Sequence, residues 1–143
     1  MSTPLTDAQG REIVVGSDIG TLVRDTGFPN WNRYAAVNDE FVPIHMDDDA
    51  GRAAGMGGAF GMGNLQISYL HVLVREWIGE HGRIVRLAAQ FRKPNAKGTI
   101  TATGKVTAVT PGDGETLVEL ELVTRDTKGD ALAPGTATVA FPW

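Results

Sequence analysis

The chain contains no cysteine, so disulfides and thiolate chemistry are excluded. It has no surplus of positive charge: 13 Lys and Arg against 17 Asp and Glu leave a net charge of −4. That balance disfavours non-specific binding to nucleic acid. No uninterrupted apolar stretch approaches the roughly 18 residues a membrane helix needs. The opening MSTPLTDAQG is polar and carries no apolar signal region. No repeat and no linker interrupts the 143 residues, which fits one domain spanning 1–143. The expectation is a soluble, cytoplasmic protein.

What is present is enough to build a core. Hydrophobic residues make up 42 % of the chain, in the range of globular domains. The one long helical pattern starts at Met62. Met62, Leu65, Tyr69, Leu70, Leu73, Trp77 and Ile78 recur at helical spacing, and Ile67, Val72 and Val74 fill much of the other side. Only Asn64, Ser68, His71 and Arg75 form a polar stripe. A helix apolar nearly all round is a buried one, and Gly79 to Gly82 would end it.

After that helix the pattern changes to period two. Val85, Leu87, Ala89 and Phe91 alternate with Arg86, Ala88, Gln90 and Arg92; Thr99 to Val109, Leu117 to Thr124, and Ala137, Val139 and Phe141 follow. The turns KPNAKG, PGDGE and DTKGD separate them. Strands joined by short turns imply an antiparallel sheet. The fold class is therefore α+β, with the sheet curled around the long helix.

The first third reads less regularly. Residues 1–10 look like a loose terminus, Ile13 to Val15 like a short strand, and Gly16 to Gly20 like a turn, while Thr21 to Arg24 has too little pattern to assign. Pro29 suits a helix start with Asn30 as its cap. Trp31, Tyr34, Ala35 and Val37 would form the apolar face of that helix, and Asn38-Asp39 would end it. Asp47, Asp48 and Asp49 precede AGRAA and read as the acidic first turn of a short helix. Metal binding by three adjacent aspartates is the weaker account, because consecutive helical side chains diverge. Trp31, Trp77 and Trp143 read as core or interface residues, and His71 and His81 as surface histidines.

Two segments carry candidate chemistry. In YAAVNDEFVPIH, Tyr34 to His45, the acids Asp39 and Glu40 precede His45 across a loop bearing Pro43. A carboxylate and an imidazole on one loop can hold a water between them, deprotonate it and return a proton elsewhere. The second segment runs from Gly55 to Gly63 and enters the long helix. Its backbone N–H groups would lie at the positive end of the helix dipole, suited to a developing oxyanion. The alternative reading is a turn packed tightly against the helix. No Gly-Lys-Ser/Thr follows, which disfavours a P-loop.

The run YAAVNDEFVPIHMDDDAGRAAGMGGAFGMGNL resembles the hydratase signature of the MaoC-like dehydratases, or (R)-specific enoyl-CoA hydratases. That signature is roughly Tyr-Ala-x-x-Ser-Gly-Asp-x-Asn-Pro-Ile/Leu-His-x-Asp, followed by His-Gly-Met before the long helix. The resemblance covers most of the chain and implies a hotdog fold. It puts His45 on the catalytic histidine, Glu40 on the catalytic aspartate with Asp39 as the rival acid, and Gly61 on the glycine whose N–H polarises the thioester carbonyl. Three positions depart from the pattern: Glu40 for aspartate, Val42 for a supporting asparagine, and Phe60 for histidine.

The implied activity is hydration of a trans-2-enoyl thioester or the reverse dehydration. No metal and no redox cofactor is implied, and CoA or phosphopantetheine belongs to the substrate. Val42, Phe60, Met62 and Asn64 would line the substrate site. Arg92 and Lys93 would contact phosphate or else serve as solvated strand-end charges. The resemblance also implies a dimer joined edge to edge, with an identical copy or a hotdog paralogue. A non-catalytic acyl-thioester-binding subunit is the rival reading, and a thioesterase the third.

Overall fold

Helix α3 (Gly63–Ile78) forms the centre of the domain, and a sheet closes over it. In the computed structural model, residues 3–143 are described. In chain order they form β1 (Asp18–Thr26), α1 (Phe28–Asn38), a 3-10 turn (Pro43–His45), α2 (Asp48–Ala53), β2 (Phe60–Gly61) and α3. There follow β3 (Arg83–Ala89), β4 (Asn95–Ala96), β5 (Gly98–Pro111), β6 (Glu115–Arg125) and β7 (Ala131–Pro142). The five-stranded sheet has the order β1-β5-β6-β7-β3, and each neighbouring pair is antiparallel. β2 and β4 make a separate two-stranded ribbon.

The apolar periodicity explains why the sheet wraps the helix. Leu65, Tyr69, Leu70, Leu73, Val74, Trp77 and Ile78 are buried on α3. They meet Ile100, Ala102 and Val106 of β5, Val118, Leu120 and Leu122 of β6, and Ala137, Val139 and Phe141 of β7. Each large side chain fully buried in this way stabilises the fold by about 1.5–3 kcal/mol. The ring of Phe141 stands edge-on to Trp77 at 5.8 Å. Gln66 is the exception among these apolar neighbours. It is 1 % exposed and its Oε1 accepts from Thr124 Oγ1 at 2.6 Å. Thr124 Oγ1 in turn accepts from Ala133 N, so the buried polar groups of this network are mutually satisfied.

Several local expectations change. The unassigned Thr21–Arg24 lies within β1, where Ile19, Leu22 and Thr26 are the buried residues. A register shift between Asp18 and Thr21, together with Gly20 at φ 105°, breaks the period of two. Ile13–Val15 is no strand; only an isolated bridge joins Thr6 to Glu12. The expected loose terminus is tied down over its described part: Asp7 accepts from Gln9 N, Arg11 N and Arg11 Nε, and Ala8 N donates to Trp77 O. Residues 1 and 2 of that stretch lie outside the described residues.

Asn30 is not the first cap of α1. Gly27 holds that position, and Asn30, three residues on, reaches back with Oδ1 to the Gly27 N–H. Val37 is 84 % exposed rather than part of the apolar face, because the short helix buries only Trp31 and Ala35 fully. In β3 the extra residue of a bulge falls between Ile84 and Arg86. It turns Val85 outward, 53 % exposed, while Ile84, Leu87 and Ala89 pack on the core. Trp31 and Trp77 are core residues, whereas Trp143 is 74 % exposed.

Candidate functional site

The loop that carries the acid and the imidazole is shaped by its ends. Asp39 takes the left-handed conformation at φ 53°, ψ 43°, closing α1 with its N–H on Ala35 O; Glu40 N donates to the same carbonyl. Asp39 thereby serves as the turn residue and is exposed, while Glu40 is half-buried. Val42 is extended, as a residue before proline must be. Its carbonyl receives His45 N at 3.0 Å, which turns His45 inward to 8 % exposure.

The imidazole of His45 makes one side-chain hydrogen bond among the described residues, Nδ1 to the main-chain oxygen of Phe60 at 2.6 Å. A carbonyl oxygen only accepts, so Nδ1 carries a proton, and in the neutral ring Nε2 keeps its lone pair. The neutral ring therefore presents a base at Nε2. The ring of Phe60 stands edge-on to it, 5.4 Å between centroids. At the position where histidine was the expected pattern, this chain supplies a backbone acceptor and an apolar wall.

Close packing accounts for some of the glycines in and just before the glycine-bearing segment, whereas Gly57 faces open space. A Cβ on Gly51 would lie 2.0 Å from Gly58 O, and one on Gly58 2.9 Å from Asp48 Oδ1. At Gly61 a Cβ would lie 2.6 Å from Trp31 Nε1 and 2.8 Å from Asn95 Nδ2. Both of those donors are buried without a hydrogen-bond partner, while Asn95 Oδ1 accepts from Thr26 Oγ1. Gly61 lies in β2, opposite Asn95 of β4, just ahead of the N-cap of α3. Met62, which caps α3, makes no side-chain cap, so the helix opens at Gly63, two residues beyond Gly61, without a side chain over its first N–H groups.

The three aspartates before α2 do not converge. Asp47 caps the helix at Asp49 N, Asp48 binds Ala59 N and Lys97, and Asp49 pairs with Arg52. Lys97 holds the Asp48 carboxyl below its usual range. Burial pushes the Tyr69 hydroxyl up; it accepts from Asn30 Nδ2 at 2.6 Å. Among the described residues no group of three His, Asp or Glu side chains could hold a metal ion.

Of the other residues singled out, Val42 is exposed beside the loop and Asn64 is exposed in the first turn of α3. Met62 is buried in the core instead of lining an open site. Phe91 packs against α3 at Gly63, where a Cβ would meet its ring at 2.7 Å. The exposed Arg92 and Lys93 follow directly; Arg92 bonds Gln90 Oε1 and Lys93 pairs with Asp130. A trough of 1040 Å³ crosses the outer face of the sheet, and neither Glu40 nor His45 lines it.

Asp48, Trp31, Asn95 and Gln66 were not legible as neighbours of these groups. Gln66 left one signal: a polar residue four positions from both Met62 and Leu70, on the buried face.

Neither a family model nor a curated protein matches the chain. Solved structures do. One is the ChsH1-ChsH2 complex from Mycobacterium tuberculosis, in which the matched chain is 25 % identical, with TM-score 0.79 over 90 % of this chain and 98 % of that one. The (R)-hydratase from A. caviae involved in PHA biosynthesis is 23 % identical, with TM-score 0.81 over 91 % and 98 %. The MaoC-like dehydratase from Rhodospirillum rubrum is 19 % identical, with TM-score 0.77 over 91 % and 93 %. This chain has the hotdog fold, an antiparallel sheet curled around one central helix, and is similar in that fold to the (R)-hydratase and MaoC-like dehydratase structures it matches.

Proposed function

We propose that the chain, as one domain, hydrates trans-2-enoyl thioesters to (R)-3-hydroxyacyl thioesters, reversibly. The observation that carries this reading is the His45 Nδ1 contact with the Phe60 carbonyl, which leaves Nε2 as a base. Water sits between Glu40 and His45. Its oxygen adds to the β-carbon while His45 Nε2 takes one of its protons. Glu40 accepts a hydrogen bond from the other hydrogen and holds the water in line. The electron pair of the double bond moves to the thioester oxygen, where the Gly61 N–H stabilises it as an enolate. The imidazolium then returns its proton at the α-carbon, and both residues are restored.

In this reading no metal or redox cofactor takes part, and CoA or a carrier's phosphopantetheine arrives with the substrate. Val42, Phe60 and Asn64 flank the acyl thioester, and Arg92 and Lys93 meet phosphate. The edge strands β1 and β3 leave the sheet open, so a second hotdog chain, identical or paralogous, pairs along one of them.

A second reading is supported by the similarity to a chain of a two-component complex and by the altered positions Glu40, Val42 and Phe60. Under it the chain shapes an acyl-thioester site for a catalytic partner. The deciding experiment follows enoyl-thioester absorbance with the purified chain and short, long and bulky acyl-CoAs. Turnover that vanishes in Glu40→Gln and His45→Ala supports the hydratase. Turnover that appears only with a co-encoded paralogue supports the partner subunit, and release of free CoA would indicate a thioesterase.

A further inference from the structure

Asp48 stands three residues after His45, at the start of α2. Its Oδ1 accepts from Ala59 N at 2.9 Å and from Lys97 Nζ at 2.7 Å, and its Oδ2 accepts from Lys97 Nζ at 2.8 Å. Ala59 immediately precedes Phe60. Lys97 immediately follows Ala96, the residue paired with Phe60 across the β2–β4 ribbon. One carboxylate thus grips both strands beside the residue whose carbonyl orients His45.

The ribbon needs such a grip. It contains only the pairs Phe60–Ala96 and Gly61–Asn95, and an isolated two-stranded ribbon is marginal in water. The surrounding glycines let the carboxylate in: a Cβ on Gly58 would crowd Asp48 Oδ1 at 2.9 Å. Lys97 Nζ also lies 4.1 Å over the ring of Phe28, which joins the grip to the first turn of the helix whose far end leads to Glu40.

We propose that Asp48 is a positioning residue for His45: with Lys97 it holds the Phe60 carbonyl where it keeps the imidazole in the Nδ1–H form. The effect on turnover rests on the hydratase reading above; the effect on the tautomer does not. Replacing either partner frees the ribbon, lets the carbonyl drift, and releases the ring to the Nε2–H form.

The experiment records ¹⁵N spectra of histidine-labelled protein, at a pH where the imidazole is neutral, for wild type, Asp48→Ala, Lys97→Met and the nearby control Asp49→Asn. Wild type and Asp49→Asn are expected to show His45 as Nδ1–H. Asp48→Ala and Lys97→Met are expected to shift it toward Nε2–H, with Asp48→Glu restoring part of the signal. Where turnover is measurable, kcat falls about 10- to 100-fold with KM little changed. Lys97 is half-exposed, so Lys97→Met stays folded even if Asp48→Ala does not. A folded Lys97→Met with an unchanged His45 spectrum overturns the proposal. A shifted spectrum in a protein without hydratase activity upholds the positioning role and removes the hydratase reading instead.

Discussion

His45 donates its Nδ1 proton to the main-chain carbonyl of Phe60 across 2.6 Å, and the Phe60 ring stands at 86° to the imidazole it holds. The orienting atom belongs to the backbone, so the side chain at position 60 can change without removing it. Under the proposed hydratase reading, Phe60→Leu is expected to keep turnover within about threefold of wild type, whereas His45→Gln should lower kcat by about 10²–10⁴-fold. Steady-state rates on an enoyl-CoA check both; a Phe60→Leu loss as large as that of His45→Gln would refute this division of roles.

Glu40 extends one methylene further than the aspartate of the resembled pattern, roughly 1.5 Å, a displacement large on the scale of catalytic positioning. Glu40→Gln should cost about 10²-fold in kcat. Asp39→Asn should leave turnover near wild type, because Asp39 is exposed and its work is the left-handed turn, which asparagine also adopts. Equal losses from the two variants would make Asp39 the acid instead.

Gly61 is a glycine for want of space, since a Cβ would press on Trp31 Nε1 at 2.6 Å and Asn95 Nδ2 at 2.8 Å. Gly61→Ala is expected to destabilise the fold by about 1–3 kcal/mol through overpacking. Gly57→Ala, with open space around its Cβ, should cost under about 0.5 kcal/mol. Urea unfolding midpoints distinguish the two.

Gln66 spans the core between Thr124 Oγ1 and Lys93 O. Gln66→Leu keeps the volume but leaves Thr124 without its acceptor, at a cost of about 1–3 kcal/mol. In the double variant Gln66→Leu with Thr124→Val the stranded hydroxyl is gone and only the Ala133 N–H loses its acceptor, so the combined loss should fall below the sum of the two single losses. A double-mutant cycle with additive losses would show that the pair is not coupled.

The Asp48 carboxyl is held below its ordinary 3.8, chiefly by its hydrogen bond with Lys97 and then by Ala59 N–H. A carboxyl lowered in the folded state contributes stability above its unfolded value, and that contribution is lost as pH falls through the folded one. Asp48→Asn should therefore be less stable than wild type at neutral pH, with the two converging in acid below the folded value. Denaturant midpoints across that range check it; a gap that persists unchanged in acid would mean that charge is not the cause.

Much of the fold was legible because its signals are local. Apolar spacing marked α3 and its end at Gly79, and turn chemistry separated β5, β6 and β7. β1 was missed because its inward residues Ile19 and Leu22 straddle a register shift rather than alternate. Val85 was assigned to the wrong face for the same reason, since a bulge reverses the phase at that residue and no local pattern announces one.

The sequence by itself determined the kind of protein: a buried helix and amphipathic strands that can satisfy their apolar faces only by wrapping one around the other. It also put Glu40 and His45 five residues apart on a stretch whose Pro43 favours a loop. The tertiary structure alone decided which nitrogen of His45 is taken up by a hydrogen bond, because its partner, the Phe60 carbonyl, arrives from beyond α2. It alone made Asp48 more than a solvated acid, through Lys97, brought from 49 residues away. Backbone carbonyls are the same in every residue, and ion pairs depend on where the chain returns, so neither leaves a mark in the order of amino acids.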